Sequence, residues 1–158
     1  MFTASETINT LKAIFEKHKH ERICVVGTIC CGKTTLINQI SPQYNCIDMD
    51  DEFWSQVSNE DTAYLSQTPF TKEMSDFIYK LIYEKITVKP GFPLFGFVIL
   101  DCEAVVYLDI AEELLQEHCK KRGASFADAL FIKKGVEEDW ITHKAKSDKM
   151  FYYLSITE

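Results

Sequence analysis

Apolar positions along the chain change their spacing in a regular order, and each change marks an element. Ile8, Leu11, Ile14 and Phe15 recur three or four residues apart, the spacing of one helix face, with Ser5 or Thr7 placed to cap it and the mixed-charge run 16–22 closing it. Ile23, Cys24, Val25 and Val26 then run without a polar break, as a strand buried on both faces requires, until Gly27 interrupts them. Helical spacing returns over 34–40 and stops before Ser41 and Pro42, because the residue preceding a proline is pushed out of the helical region. A short strand is predicted over 45–49, a helix start over 53–58, and a longer helix over 72–85, where Met74, Phe77, Ile78, Leu81 and Ile82 share one side.

Two apolar stretches, 86–89 and 97–101, compete for the next strand. A clear strand pattern follows at 105–109, and the few residues after 101 fall short of the dozen or so that a parallel crossover ordinarily takes. The third strand is therefore expected at 86–89, ended by Pro90 and Gly91. A charged amphipathic helix over 111–121, a polar lysine-rich segment over 127–149 that is partly helical around 136–143, and a last strand over 152–156 complete the pattern. Strands alternating with helices predict an α/β protein, a three-layer α/β/α sandwich around a parallel sheet of about five strands.

Size and charge narrow the function classes. At 158 residues with 46% apolar content, the chain can bury one core and is too short for two ordinary domains, so a single domain over 1–158 is expected. Its 17 Lys and Arg against 24 Asp and Glu give a formal charge of −7, which repels nucleic-acid backbones and anionic lipid. The longest apolar stretches stop short of the roughly 20 residues that cross a bilayer, and no basic-then-apolar leader opens the chain. No nucleic-acid partner, no membrane and a cytoplasmic location are the expectation, with the chain a monomer or homodimer. The six cysteines form no C-x-x-C pair, so reduced thiols are expected.

The chemistry concentrates in one loop. Gly27-Thr28-Ile29-Cys30-Cys31-Gly32-Lys33-Thr34 matches G-x-x-x-x-G-K-[ST] in full, directly after a buried-strand pattern and directly before a helix, the context that separates a functional match from chance. Glycines there permit backbone geometry and close approach that a Cβ would forbid, so successive N–H groups can converge on an anion, and the following helix adds the partial positive charge of its N-terminus. Gly27 to Thr35 are thus expected to hold ATP. Lys33 would reach the β and γ phosphates, Thr34 would coordinate Mg²⁺, and Thr35 would meet the α phosphate. Cys30 and Cys31 are read either as small loop side chains or as thiols activated by a helix N-terminus and a lysine.

Other polar residues are candidates with open alternatives. Asp48 and Asp50 end the second predicted strand, 15 and 17 residues after Lys33, where ligands bind in parallel-sheet proteins; the same acidic run also suits a solvated turn that caps the next helix. Arg122 closes the helix of 111–121, either as a phosphate or adenine contact or as a charge on the helix dipole. Asp101 is a candidate for magnesium, with turn capping as its alternative. Only Arg22 and Arg122 are arginines, so a closing segment here must use lysines, which neutralise charge without a bidentate fork.

No N-K-x-D motif follows the loop, which sets GTP switches aside. With this loop, the Asp48-Met49-Asp50 triplet and the stretch from Val105 through Leu115 to Lys120-Lys121-Arg122-Gly123, the chain resembles the nucleoside monophosphate kinase-like P-loop kinases. The shikimate kinase and adenylate kinase arrangement is the most similar. The resemblance implies a P-loop NTPase fold, with Asp48 holding a water of the Mg²⁺ shell and Asp50 accepting the proton of an acceptor hydroxyl or binding it. It also implies that Arg122 clamps phosphate and that 123–149 forms a lid carrying Lys133, Lys134, Lys144 and Lys146. His118 stands where adenylate kinases usually carry another arginine. Trp140-Ile141-Thr142-His143 is similar to a stretch of uridine kinase-like chains, with Trp140 read as a packing residue. Base selectivity is expected to be loose, since no adenine-contacting loop and helix follow the last strand.

The function so implied is transfer of the γ-phosphoryl of Mg·ATP to a small acceptor, a nucleoside, nucleotide or small metabolite, by Lys33, Asp50 and Arg122, with Thr34, Asp48 and Asp101 at the metal. The alternative is a regulatory ATPase module with little or no transfer activity. An open space between Asp50 and the loop favours the first, and a filled one favours the second.

Overall fold

The uninterrupted apolar run at 23–26 lies where such a run must lie, at the centre of a sheet. The computed structural model describes residues 4–156. In chain order its elements are α1 (Ala4–Lys17), β1 (Ile23–Val26), α2 (Lys33–Ile40), β2 (Ile47–Asp48), α3 (Met49–Trp54), α4 (Asn59–Leu65), α5 (Lys72–Lys85), β3 (Leu94–Gly96), β4 (Ala104–Ile110), α6 (Glu112–Arg122), α7 (Phe126–Lys146) and β5 (Met150–Ile156). The five strands are all parallel in the order β2-β3-β1-β4-β5, the expected α/β architecture.

Side chains alternate across the two inner strands as a pleat requires. Ile23, Val25, Ala104, Val106 and Leu108 face a core built with Leu11, Phe15, Leu36, Ile40 and Leu115, so α1, α2 and α6 cover that side. Cys24, Val26, Val105 and Tyr107 face the other core, with Phe53, Met74, Ile78, Ile82 and Trp140 from α3, α5 and α7. No described helix is long and apolar enough to cross a membrane.

The third strand is a correction. Residues 86–89 bury Ile86 and Val88 but carry only an isolated antiparallel bridge from Lys89 to Phe92; the strand is Leu94–Gly96, hydrogen-bonded to β1 and β2. The alternation at 86–89 is that of an extended lead-in, turned at Gly91 with φ 80°. Nor is 97–101 a strand. It begins the link from β3 to β4, its Val98, Ile99 and Leu100 buried against α5 and α7. The Ile99 N–H donates to Asp139 Oδ2 at 3.2 Å and its carbonyl accepts from the Tyr83 hydroxyl at 3.2 Å, so side chains satisfy what a ladder otherwise would. No helix is needed in this crossover, because β3 is only three residues long and residues 97–103 suffice to return the chain to the amino edge of the sheet.

Helix starts follow their caps. Asp48 accepts the N–H of Asp50 at 3.0 Å and starts α3 at Met49, ahead of the expected 53–58, while Ser58 caps the unforeseen α4. Gly123, with φ 65°, ends α6 in a left-handed cap whose N–H meets the Cys119 and Lys120 carbonyls. The segment expected to be partly helical is one 21-residue helix, α7, held to the core by Ala129, Val136 and Trp140.

Candidate active site

The loop after β1 takes its shape from contacts that its sequence permits. The Gly27 N–H donates to the Gly96 carbonyl at 3.0 Å, and a Cβ at Gly27 would lie 2.7 Å from Cys31 Sγ and 3.2 Å from the Leu108 carbonyl. Cys30 (φ 62°) and Gly32 (φ 97°) both adopt left-handed backbone, which turns successive peptides around one concavity before α2 begins at Lys33. Thr34 and Thr35 stand exposed in the first turn of α2. The Thr28 hydroxyl is buried and donates to the Ala129 carbonyl at 2.6 Å, tying the loop to α7.

Lys33 is folded back onto this loop. Its Nζ donates to the Gly27 and Thr28 carbonyls at 2.7 and 2.6 Å, bonds that phosphate oxygens could replace without leaving the ammonium unpaired. His118 on α6 lies 2.8 Å through Nδ1 from the Cys30 carbonyl. The buried Cys119 thiol beside it is pushed up to about 11, by burial and by the neighbouring Cys30 thiol.

Across from the loop stand the two aspartates. Asp48 spends one oxygen on the α3 cap. Asp50 reaches solvent, yet desolvation in the crevice raises its pKa above the ordinary carboxylate range; Asp48 and Asp51 add to the rise, while Lys33 and Arg122 oppose it. The three catalytic candidates therefore share one electrostatic neighbourhood, although Arg122 lies 72 positions after Asp50. Together with Phe97, His118 and Lys121 they border a crevice of about 560 Å³ at the carboxyl end of the sheet, within the range of small-molecule sites.

Asp101 is not brought to this crevice. It lies at the amino edge of the sheet, paired with Arg22 at 2.8 Å and within 4.0 Å of Lys149, because the crossover has by then returned to the start of β4. Arg22 also forks onto Glu103, holding that carboxyl below its usual range. The magnesium expectation for Asp101 is withdrawn on this geometry. Two of the lysines expected to serve a lid are engaged elsewhere: Lys133 pairs with Asp109 at 2.8 Å and Lys144 lies over the Trp140 ring. At the crevice the cations are instead Lys33, Lys121 and Arg122.

Phe97 and Lys121 are crevice residues that the sequence reading passed over. Phe97 opens the apolar stretch 97–101, which was weighed only as a rival third strand. Lys121 had a usable signal, since it lies three positions from His118 on the helix that presents Arg122.

No family model matches the chain, and no curated protein matches it. Solved structures share its fold. A deoxyadenosine kinase from M. mycoides with bound dCTP aligns at 15% identity and a TM-score of 0.52, covering 84% of this chain and 89% of that one. A gluconokinase from Sinorhizobium meliloti 1021 aligns at 14% identity and a TM-score of 0.50, covering 88% and 84%. The likeness is one of fold, the parallel-sheet α/β architecture that this chain shares with both of these kinases.

Proposed function

We propose that this chain binds Mg·ATP in the 27–35 loop and transfers the γ-phosphoryl group to a small acceptor seated beside Asp50. One observation carries the reading: an open crevice in which Asp50 faces Lys33 and Arg122, where an inert module would have a filled space. Lys33 leaves its loop carbonyls for the β and γ phosphates, and the loop amides and the α2 N-terminus take the remaining charge. Arg122 neutralises the transferred group. Asp50 orients the acceptor and takes its proton, a role that a raised carboxylate pKa improves. The exposed Thr34 hydroxyl and the uncommitted Asp48 oxygen form a hard-oxygen donor set that suits Mg²⁺ with several waters retained. Bound there, the ion supplies neutralisation of phosphate charge. Of the expected lid segment, only the turn at Gly123 and Ala124 borders the crevice and serves as its cover in this reading, because α7 behind it is held to the core.

The acceptor class follows the chemistry of the space, a hydroxyl-bearing nucleoside, nucleotide or sugar acid; the structural neighbours named above are kinases of a deoxynucleoside and of gluconate. The rival reading, a nucleotide-gated module with slow hydrolysis, draws on the single arginine at the crevice and the diverted lid lysines. ADP release from Mg·ATP, measured against panels of nucleosides, nucleoside monophosphates and sugar acids, separates the two. Stimulation of at least tenfold by one acceptor, abolished in Lys33→Ala and Asp50→Ala, is the expected result. ATP binding with no acceptor effect and an indifferent Asp50→Ala would replace the kinase with the module.

A further inference from the structure

We infer that His118 is a phosphate contact of the bound nucleotide, and that binding draws a proton onto its outer ring nitrogen, Nε2. The inference rests on the nucleotide-binding reading above and adds a residue and a pH dependence to it.

A carbonyl oxygen can only accept, so the 2.8 Å contact with the Cys30 carbonyl places a hydrogen on His118 Nδ1. That leaves Nε2 as the nitrogen free to take a second proton. His118, Lys121 and Arg122 follow the i, i+3, i+4 spacing of one helix face, and all three border the crevice next to the loop. The Cys30 bond fixes the ring against the phosphate loop itself, at a residue held in the uncommon left-handed conformation. A phosphate cradled by residues 27–35 therefore meets an imidazole already oriented by its other nitrogen.

The charged groups that border the crevice with this ring are Lys33 from the loop side, Lys121 and Arg122 from α6, and Asp48 and Asp50 across the crevice. The Cys119 thiol stays neutral near pH 7 and contributes no charge. An incoming phosphate chain brings several negative charges to this balance and tips it toward the imidazolium. Between roughly pH 6 and pH 8 neither lysine nor arginine changes charge, which sets the window for the measurement.

The test is calorimetric titration of the whole protein with Mg·ADP in buffers of different ionisation enthalpy, from pH 6.0 to 8.5, for wild type, His118→Gln and His118→Arg. Glutamine replaces the imidazole by a neutral amide with no titratable charge, and arginine carries a permanent one. Subtracting the Gln variant cancels the nucleotide's own protonation. Wild type is expected to take up a fraction of a proton more than His118→Gln near pH 7.5, and to lose affinity with rising pH by up to about tenfold per unit more steeply. His118→Arg should bind most tightly at pH 8.5 with no excess slope. NMR of the imidazole protons, with and without Mg·ADP, gives the same answer directly as an upward shift of the His118 titration. Equal proton uptake in wild type and His118→Gln, or an unmoved His118 titration, would overturn the inference while leaving the phosphate loop intact. If wild type fails to bind Mg·ADP at any pH, the nucleotide reading itself falls.

Discussion

Gly96 offers a perturbation whose size can be worked from atomic distances. A Cβ built there would lie 2.4 Å from Met49 Cε, 2.6 Å from its Sδ and 2.9 Å from its Cβ. The sulfur and the terminal methyl belong to a flexible chain and can rotate away, but the Met49 Cβ is fixed to the start of α3. Carbon atoms rest about 3.5–4.0 Å apart, so Gly96→Ala must push α3 from β3 by roughly 0.6–1 Å. Overpacking of this kind costs about 1–3 kcal/mol, and each kcal/mol lowers Tm by roughly 2–4 °C in a domain of this size. Asp48 and Asp50 flank Met49 and move with it. A 1 Å misplacement of a reacting group can cost on the order of a hundredfold in rate, so acceptor-stimulated turnover should fall at least tenfold while ATP affinity, set by the 27–35 loop, changes little. Met49→Ala in the same background should restore stability only in part, because the Cβ-to-Cβ contact persists. Thermal melts, urea titrations and ADP release on wild type and the two variants measure all of this. Gly96→Ala melting within a degree of wild type, with full turnover, would refute the reasoning.

Asp50→Asn should raise Tm at pH 7 and abolish acceptor-stimulated turnover. The folded-state pKa of Asp50 lies above its unfolded value, so the carboxyl favours the folded state below the ordinary carboxylate range, and that contribution is lost as pH rises through the raised value. The stabilisation by asparagine should therefore vanish below about pH 4, which melts across pH would reveal. Thr28→Val, which removes the 2.6 Å bond to the Ala129 carbonyl, is expected to cost about 1 kcal/mol in urea denaturation and to speed hydrogen exchange in the first turns of α7. Asp101→Ala should leave the Mg²⁺ dependence of ATP binding unaltered and shift stability by less than about 1 kcal/mol, whereas Thr34→Ala should weaken Mg·ATP binding; a loss of metal dependence in Asp101→Ala would contradict its place at the amino edge.

What the sequence determined by itself was local and contiguous. The central strand at 23–26 was legible because a run apolar on both faces has few other uses, and the phosphate loop because all its parts lie within eight residues. The helix at 72–85 was legible through its one-sided apolar stripe. Tertiary structure decided the rest. Three-residue β3 exists because β1 and β2 supply partners on both sides, so its own sequence carries little signal within a long apolar tract. Helix α7 buries Ala129, Val136 and Trp140, which lie seven and four positions apart, too sparse a stripe to show over a polar background. The direction of the β3-to-β4 crossover sent Asp101 to the far edge of the sheet, while the parallel order of the strands brought Asp50 to Lys33 and the end of α6 to both. Hydrophobic period reports which residues share a face; which distant faces meet is set by strand pairing and chain reversal, and both are properties of the folded molecule alone.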